Sequence, residues 1–174
     1  AMRFATGSQN AAIGANALYS SGTGSGNTAV GKDALYSNNE GGNNTALGRR
    51  TLYANTNGDY NIAIGYAALD ANTTGGNNIA MGRDAMSSNT TGASNIAIGA
   101  RSTMAANTTG ASNIALGSYT LDVNTTGINN VAIGPSAMGA NINGDYNIAI
   151  GTGALASATT ADYNIALGYE ALKS

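Results

Sequence analysis

The sequence repeats one short phrase at a fixed interval, and this period limits the fold more than any other feature. The phrase runs Asn, a small or aliphatic residue, Ala, an aliphatic residue or Met, and Gly. Eight of the nine intervals between its glycines are 17 residues, and the interval from Gly99 to Gly117 is 18. Ten copies at a constant period indicate a solenoid, in which each copy forms one coil.

We number the positions of each copy 1 to 17 from its Asn, so that the consensus is N-I-A-[ILVM]-G-x-x-A-L-x-x-N-T-T-G-x-x. Positions 1, 3 and 5 are Asn, Ala and Gly in every copy, and position 9 is always Leu or Met. Positions 6 and 7 vary widely and include Lys32, Arg49, Arg50, Arg83 and Pro135. The constant positions are therefore predicted to build the coil, and the variable ones its exposed surface.

The repeat unit predicts an all-β fold. A unit of 17 residues is shorter than helical-hairpin repeats, which need more than about 30, and regular Asn, Thr and Gly oppose helices. We expect one strand at positions 2–4, a second at positions 8–10, and a turn at N-T-T-G. Stacked in register, these strands predict a parallel β-roll (β-solenoid) of ten 17-residue coils, spaced by about 4.8 Å.

The position 5 Gly, the position 1 Asn and the inserted residue each predict a local structure. The Gly at position 5 is expected to adopt a positive φ or to allow close backbone approach. The Asn at position 1 is expected to form a ladder of side-chain amides between coils. The extra residue of the 18-residue interval is placed among Ala100, Arg101 and Ser102, where a bulge would leave the core columns unshifted.

Both faces of the first strand are apolar, which predicts association. Positions 2 and 4 share one face and carry mostly Ile and other aliphatic residues, whereas position 3 places Ala on the other face. A strand that is apolar on both sides is covered on both sides. We expect one face to pack inside its own coil, and the flat, methyl-lined Ala face to pack against a partner, such as another copy of the chain.

Composition excludes several classes of function. The chain has 7 Lys and Arg, 9 Asp and Glu, and no His or Cys. The net charge of -2 gives no electrostatic case for nucleic acid or an anionic membrane, and no apolar stretch approaches the roughly 20 residues that span a bilayer. Without His or Cys, and with scattered carboxylates, we predict no enzyme activity and no catalytic, cofactor-binding or metal-binding residues.

Three short motifs suggest functional sites, but each is explained better by a structural role. The I-G-x-x-A-L segment matches one hexapeptide of the acyltransferase β-helix, which needs three per coil and typically a His base. The N-G-D-Y-N segments at 57–61 and 143–147 contain candidate calcium ligands, but no RTX-type tandem accompanies them. The Gly-rich segment 21–26 lacks the context of a Rossmann or P-loop motif. We interpret the N-G-D-Y-N segments and segment 21–26 as turns.

Two surface columns are candidates for ligand binding. Tyr19, Tyr36 and Tyr53 recur at position 10 of successive coils, with Arg49 and Arg50 nearby as hydrogen-bond donors. Such a column could bind a glycan through flat apolar rings with a polar handle.

The second candidate is the Thr pair at positions 13 and 14, because regular Thr ranks are what ice-binding solenoids present. Adjacent Thr residues should point to opposite sides of the chain rather than form one flat face. We therefore prefer Thr ladders that hold the turns together.

The phrase N-[IT]-A-[IV]-G-x-x-A-L resembles the head repeats of trimeric autotransporter adhesins of the YadA type. The longer segments NTAVGKDALYSN and NIAIGYAALDANTTG resemble repeats in phage tail fibres and related surface fibres still more closely. The resemblance covers nearly the whole chain, although this unit is longer than the adhesin head repeat. It implies a left-handed β-roll, a homotrimer, and an extracellular location on a cell surface or a virion tail. It also implies a structural or adhesive role as head or shaft, with a host-surface glycan or protein as a partner.

We therefore expect residues 1–174 to form a single repeat array, cut from a longer fibrous protein and not inserted directly into a membrane. Its coils are expected to start near Asn10, Asn27, Asn44, Asn61, Asn78, Asn95, Asn113, Asn130, Asn147 and Asn164.

Overall fold

The computed structural model describes residues 6–173, and within this range it contains ten β-strands and no helix. Each strand begins at position 2 of one repeat, directly after the Asn. The strands are β1 Ala11–Ile13, β2 Thr28–Val30, β3 Thr45–Leu47, β4 Ile62–Ile64, β5 Ile79–Arg83, β6 Ile96–Arg101, β7 Ile114–Leu116, β8 Val131–Ile133, β9 Ile148–Ile150 and β10 Ile165–Leu167.

The ten strands form one parallel sheet in chain order, β1 to β10. Equivalent positions pair directly, so that Thr45 lies beside Ile62 and Ala46 beside Ala63. Because the chain returns to the same register after each 17-residue unit, every column of the repeat becomes a column of stacked side chains. The prediction of an all-β parallel solenoid is confirmed.

The predicted second strand at positions 8–10 is wrong, because this part of every coil is a turn. Position 9 adopts a left-handed conformation throughout, with φ of 49° at Leu52 and 52° at Leu69, whereas strands need a negative φ. The turns still stack, since the Leu52 amide donates to the Ala68 carbonyl of the next coil at 3.0 Å. The solenoid therefore has one sheet and a wall of stacked turns, and it is not a β-roll with two strands per coil.

The sheet faces also differ from the prediction, because the Ala column points into the coil. Ala63 and its equivalents in the second to tenth coils are buried. Leu or Met from position 9 enters the same interior, as Leu69 and Met86 do. Because alternate residues of a strand face opposite ways, the side chains at positions 2 and 4 face outward.

The predicted Asn ladder at position 1 is confirmed. The Oδ1 of each Asn accepts the backbone N–H of the equivalent Asn in the next coil at 2.9–3.0 Å. The Nδ2 of Asn61, for example, donates to the carbonyl of Gly75 at 2.9 Å. These side chains satisfy backbone groups at a corner of the coil that is closed to water.

A second Asn ladder at position 12 was not predicted. Seven Asn residues from Asn38 to Asn141 stack there in the interior. From Asn55 onward, the Nδ2 of each donates to the Oδ1 of its predecessor at 2.8–3.0 Å. The sequence signal was the Asn of N-T-T-G, which we had attributed to the turn alone. Ser21 and Ala158 occupy position 12 in the first and ninth coils.

The position 5 glycines meet both predicted requirements, a positive φ and a close approach of the neighbouring backbone. Gly65 has a φ of 126°, and a Cβ built on it would lie 2.6 Å from the carbonyl oxygen of Gly82. A side chain there would be strained and would also collide with the next coil. Gly99, beside the inserted residue, is the one member of the column whose φ is not in this range.

The inserted residue is absorbed as predicted. Arg83 in β5 pairs with Arg101 in β6, and the register shifts between Met81 and Arg83. The extra residue therefore lies in the Gly99–Ala100 segment, as a bulge at the outer corner. Met104 remains buried in the position 9 column, so the core columns continue in register.

We predict that Gly65→Val lowers the melting temperature by about 10 °C or more, because it adds backbone strain and a collision with the adjacent coil. The matched control is Lys32→Ala, at an exposed position of another coil, which should change the melting temperature little. Circular dichroism during heating measures both. Equal melting temperatures would show that position 5 has no structural requirement for Gly.

We also predict that Asn72→Ala lowers the melting temperature by about 3–10 °C, since it leaves the buried Oδ1 of Asn55 without its donor. Thr74→Ala, at an exposed position of the same turn, serves as the control and should melt like the native protein. If both variants melt together, the position 12 ladder contributes nothing to stability.

Candidate binding surfaces

The surface columns are where a ligand could bind, because no pocket exists in the described part of the chain. Between residues 6 and 173, no three acidic residues come together in a group that could hold a metal ion. The same range contains no helix long and apolar enough to cross a membrane. The candidate surfaces are therefore the columns of equivalent residues on the outside of the coils.

The three predicted tyrosines form one stacked column. The ring centroids of Tyr19 and Tyr36 are 5.1 Å apart with the planes 5° from parallel. Those of Tyr36 and Tyr53 are also 5.1 Å apart, at 17°. All three side chains are half-buried. Because the rings cover one another's faces, the column presents edges and hydroxyl groups to solvent rather than the flat faces that a sugar ring stacks on.

The two predicted arginines belong to different clusters. The Arg50 guanidinium lies 4.5 Å from the Tyr53 ring centroid and covers the end of the tyrosine column. It also forms a two-point ion pair with Asp70, with Nη2 2.9 Å and Nε 3.3 Å from the carboxylate oxygens. The hydrogen bond to Asp70 raises the pKa of Arg50. Arg49 instead lies over the Tyr66 ring at 5.9 Å, so the five residues do not make one site.

The outer face of the sheet is also uncovered, and we call it the apolar sheet face. It comprises positions 2 and 4 of all ten strands, and eighteen of these twenty residues are apolar, with Thr28 and Thr45 as the exceptions. Exposure ranges from partial in the middle coils to 66% at Ile13 and 64% at Leu167. Nine intervals of about 4.8 Å make this strip about 43 Å long, and soluble monomers rarely expose large continuous apolar patches.

The Thr pairs are divided between two sides of the turn, as predicted. At position 13 the hydroxyl donates to the position 13 carbonyl of the next coil, as from Thr73 to Thr90 at 3.0 Å. Thr74 and its equivalents at position 14 are exposed. The result is one exposed Thr row and one ladder that joins the turns, and not the two-row face of ice-binding solenoids.

The N-G-D-Y-N segments form turns, and their acids bond to neighbouring coils. The Asp59 carboxylate accepts the backbone N–H of Gly42 at 2.6 Å, and that of Asp145 accepts the N–H of Ile128 at 2.7 Å. These carboxylates thus satisfy an exposed amide of the preceding coil. Their positions favour the turn interpretation over calcium binding.

No protein-family model, curated protein or solved structure matches this chain. The fold itself defines the class: a parallel β-solenoid repeat protein whose sheet has an uncovered apolar face.

Asp122, in the position 10 column, is expected to make the stability of the protein depend on pH. Burial raises the pKa of Asp122 above its usual value, and a backbone hydrogen bond at Ala105 offsets this in part. The pKa of Asp122 is therefore higher in the folded state than in the unfolded state. The contribution of Asp122 to stability is greatest below its unfolded-state pKa and is lost as the pH rises through its folded-state pKa.

Asp122→Asn should therefore raise the melting temperature by about 1–3 °C at neutral pH, with no difference near pH 3. Melting curves across this pH range measure the effect. A variant that is less stable than the native protein at pH 7 would contradict the assignment.

Proposed function

We propose that this chain is a structural or adhesive segment of a homotrimeric fibre, exposed on a cell surface or a virion tail, and that it catalyses no reaction. The observation that carries the proposal is the apolar sheet face, which runs over ten strands without a covering layer. Burial of apolar area is the main favourable term in most protein association. This face is therefore where copies of the chain are expected to meet.

A cyclic arrangement around the axis of strand stacking suits this face. The strip is only two side chains wide and continuous along the sheet, so each copy can present it to a common axis. A closed ring buries the face on every copy equally, whereas an open arrangement would leave it uncovered on the outermost copy. The number three and the left hand of the coil are proposals that rest on the resemblance to YadA-type heads and tail fibres.

The surface through which copies would associate is therefore the Ile-rich face. The sequence pattern had predicted the Ala face instead. Ala63 and its equivalents lie inside the coil, so they cannot contact another copy. Ile96 and Ile98 illustrate the outward pair, half-buried and 39% exposed respectively. Branched aliphatic side chains bury more apolar area than methyl groups, and this strengthens the case for association.

The proposed role is mechanical and adhesive. Each coil bonds to its neighbours along the axis, which gives a stiff rod whose length follows the number of repeats. A catalytic role would need a nucleophile and a base in contact, and the chain has neither His nor Cys. Glycan binding by the tyrosine column and ice binding by the Thr rows remain predictions that the geometry does not favour, since the ring faces are covered and only one Thr row is exposed.

The test is the mass of the particle in solution. Light scattering across a size-exclusion peak should give three times the chain mass of 17.2 kDa. The double variant Ile79→Asp/Ile96→Asp places two carboxylates in the middle of the apolar sheet face and should yield monomer or aggregate. Thr91→Asp, on the exposed Thr row, is the control and should keep the native mass.

A native monomer at micromolar concentration would contradict the fibre proposal, and a dimer would contradict the number three. A double variant that retains the native mass would show that the copies meet through another surface.

A further inference from the structure

Most of the positive charge of this chain lies in one column. Position 6 holds cations in the second, third, fifth and sixth coils, and a tyrosine in the fourth. These cations are four of the seven Lys and Arg residues. We call the following five residues the basic column: Lys32, Arg49, Tyr66, Arg83 and Arg101.

Backbone hydrogen bonds show that these residues stack in register. The carbonyl oxygen of each one accepts the amide of the position 7 residue in the next coil, at N···O distances of 2.9–3.2 Å. The five residues therefore follow a straight line parallel to the axis. With about 4.8 Å between coils, the line is about 19 Å long.

The inserted residue of the sixth coil preserves the column. Counting 17 residues from Arg83 would bring Ala100 to this place, but the bulge brings Arg101 beside Arg83. Like charges on directly paired residues of a sheet are destabilising. The basic column is thus an arrangement that costs stability in the free chain.

No salt bridge within residues 6–173 neutralises the charges of the column. The two salt bridges among residues 6–173 are Arg50–Asp70 and Lys173–Glu170, and neither involves the column. All four cationic side chains are exposed. Arg49 lies over the ring of Tyr66, and the Arg101 Nη1 is 3.5 Å from the Tyr119 hydroxyl.

Two acids stand next to the column at position 7, Asp33 and Asp84, and both are half-buried. The Asp33 carboxylate already accepts a hydrogen bond from Nδ2 of Asn16 at 2.9 Å. The column therefore keeps a local excess of positive charge on a chain whose net charge is -2.

We propose that the basic column binds a linear anionic polysaccharide that lies along the axis of the solenoid. Two pairs of cations on one line, separated by the coil that carries Tyr66, match a polymer whose carboxylates or sulfates recur along its length. Tyr66 is 48% exposed and offers its hydroxyl group to a sugar between the two pairs of cations. The proposal goes beyond the fibre role and does not depend on the number of copies in the assembly.

The observations favour a polysaccharide over nucleic acid. Duplex DNA carries one charge per about 1.7 Å of axis, which is far denser than one cation per coil. The acidic residues elsewhere on the surface, such as Asp59 and Asp145, would repel a bulky polyanion that spread beyond the column.

The experiment measures binding of heparin, used as a sulfated probe, by isothermal titration calorimetry at about 0.05 M ionic strength, where charges interact over more than about 10 Å. The column variant is Lys32→Gln/Arg49→Gln/Arg83→Gln/Arg101→Gln. The charge-matched control is Thr74→Glu/Thr91→Glu/Thr109→Glu/Thr126→Glu, which gives the same net charge and leaves the column intact.

We expect the native protein to bind heparin, with affinity that falls as salt rises. The column variant should bind at least about tenfold more weakly, because four exposed ion pairs are lost. The control should stay within a few-fold of the native affinity, and neutral dextran should not bind. Heparin should raise the melting temperature of the native protein but not that of the column variant.

Several results would overturn the proposal. The native protein could fail to bind heparin, or the column variant could bind heparin with the native affinity. The control could also lose as much affinity as the column variant, which would show that only net charge matters. Tighter binding of single-stranded oligothymidylate than of heparin would assign the column to nucleic acid. A changed particle mass in the column variant would assign it to contacts between copies, whereas a native protein that binds heparin as a monomer would refute the trimer and leave this proposal intact.

Discussion

The structure depends on hydrogen bonds that run parallel to the axis, from each coil to the coils on either side. The amide of Ile62 donates to the carbonyl of Asn78 in the next coil, and the amide of Gly65 donates to Leu47 in the previous one, both at 2.8 Å. Because the coils stack in register, each residue lies beside the equivalent residue of the next coil, which is often of the same type. Amides, small aliphatic groups and stacked rings tolerate this repetition, whereas like charges repel, which explains why charged residues make up only 9% of the chain.

The parts of the fold that depend on period alone could be predicted from the sequence. Register, the corner glycines and the position 1 ladder all follow from the constancy of a column. The predicted second strand was wrong because Leu52 and its equivalents adopt a positive φ, which bulky residues rarely do. The orientation of the sheet was also wrong. Alternation shows that Ala63 and Ile64 face opposite ways, but it does not show which of them lies inside the coil.

Surface columns were harder to predict than core columns. The alignment of Tyr19, Tyr36 and Tyr53 followed from their spacing, but the covering of each ring by its neighbour depends on side-chain rotamers. Arg49 and Arg50 are adjacent in sequence, yet they contact different rings. The basic column was missed because net charge averages over the chain, whereas a solenoid sorts residues by their position in the repeat.

The two amide ladders also give the molecule an electrical direction. In both, the side-chain nitrogen of a later coil donates to the oxygen of an earlier one, as from Asn44 to Asn27 and from Asn72 to Asn55. Aligned amide dipoles add, as peptide dipoles do along a helix. The end nearer the first coil therefore carries partial positive charge, and the opposite end partial negative charge. Segments of this kind that join end to end are favoured head to tail, because only that order continues the polarisation from one segment into the next.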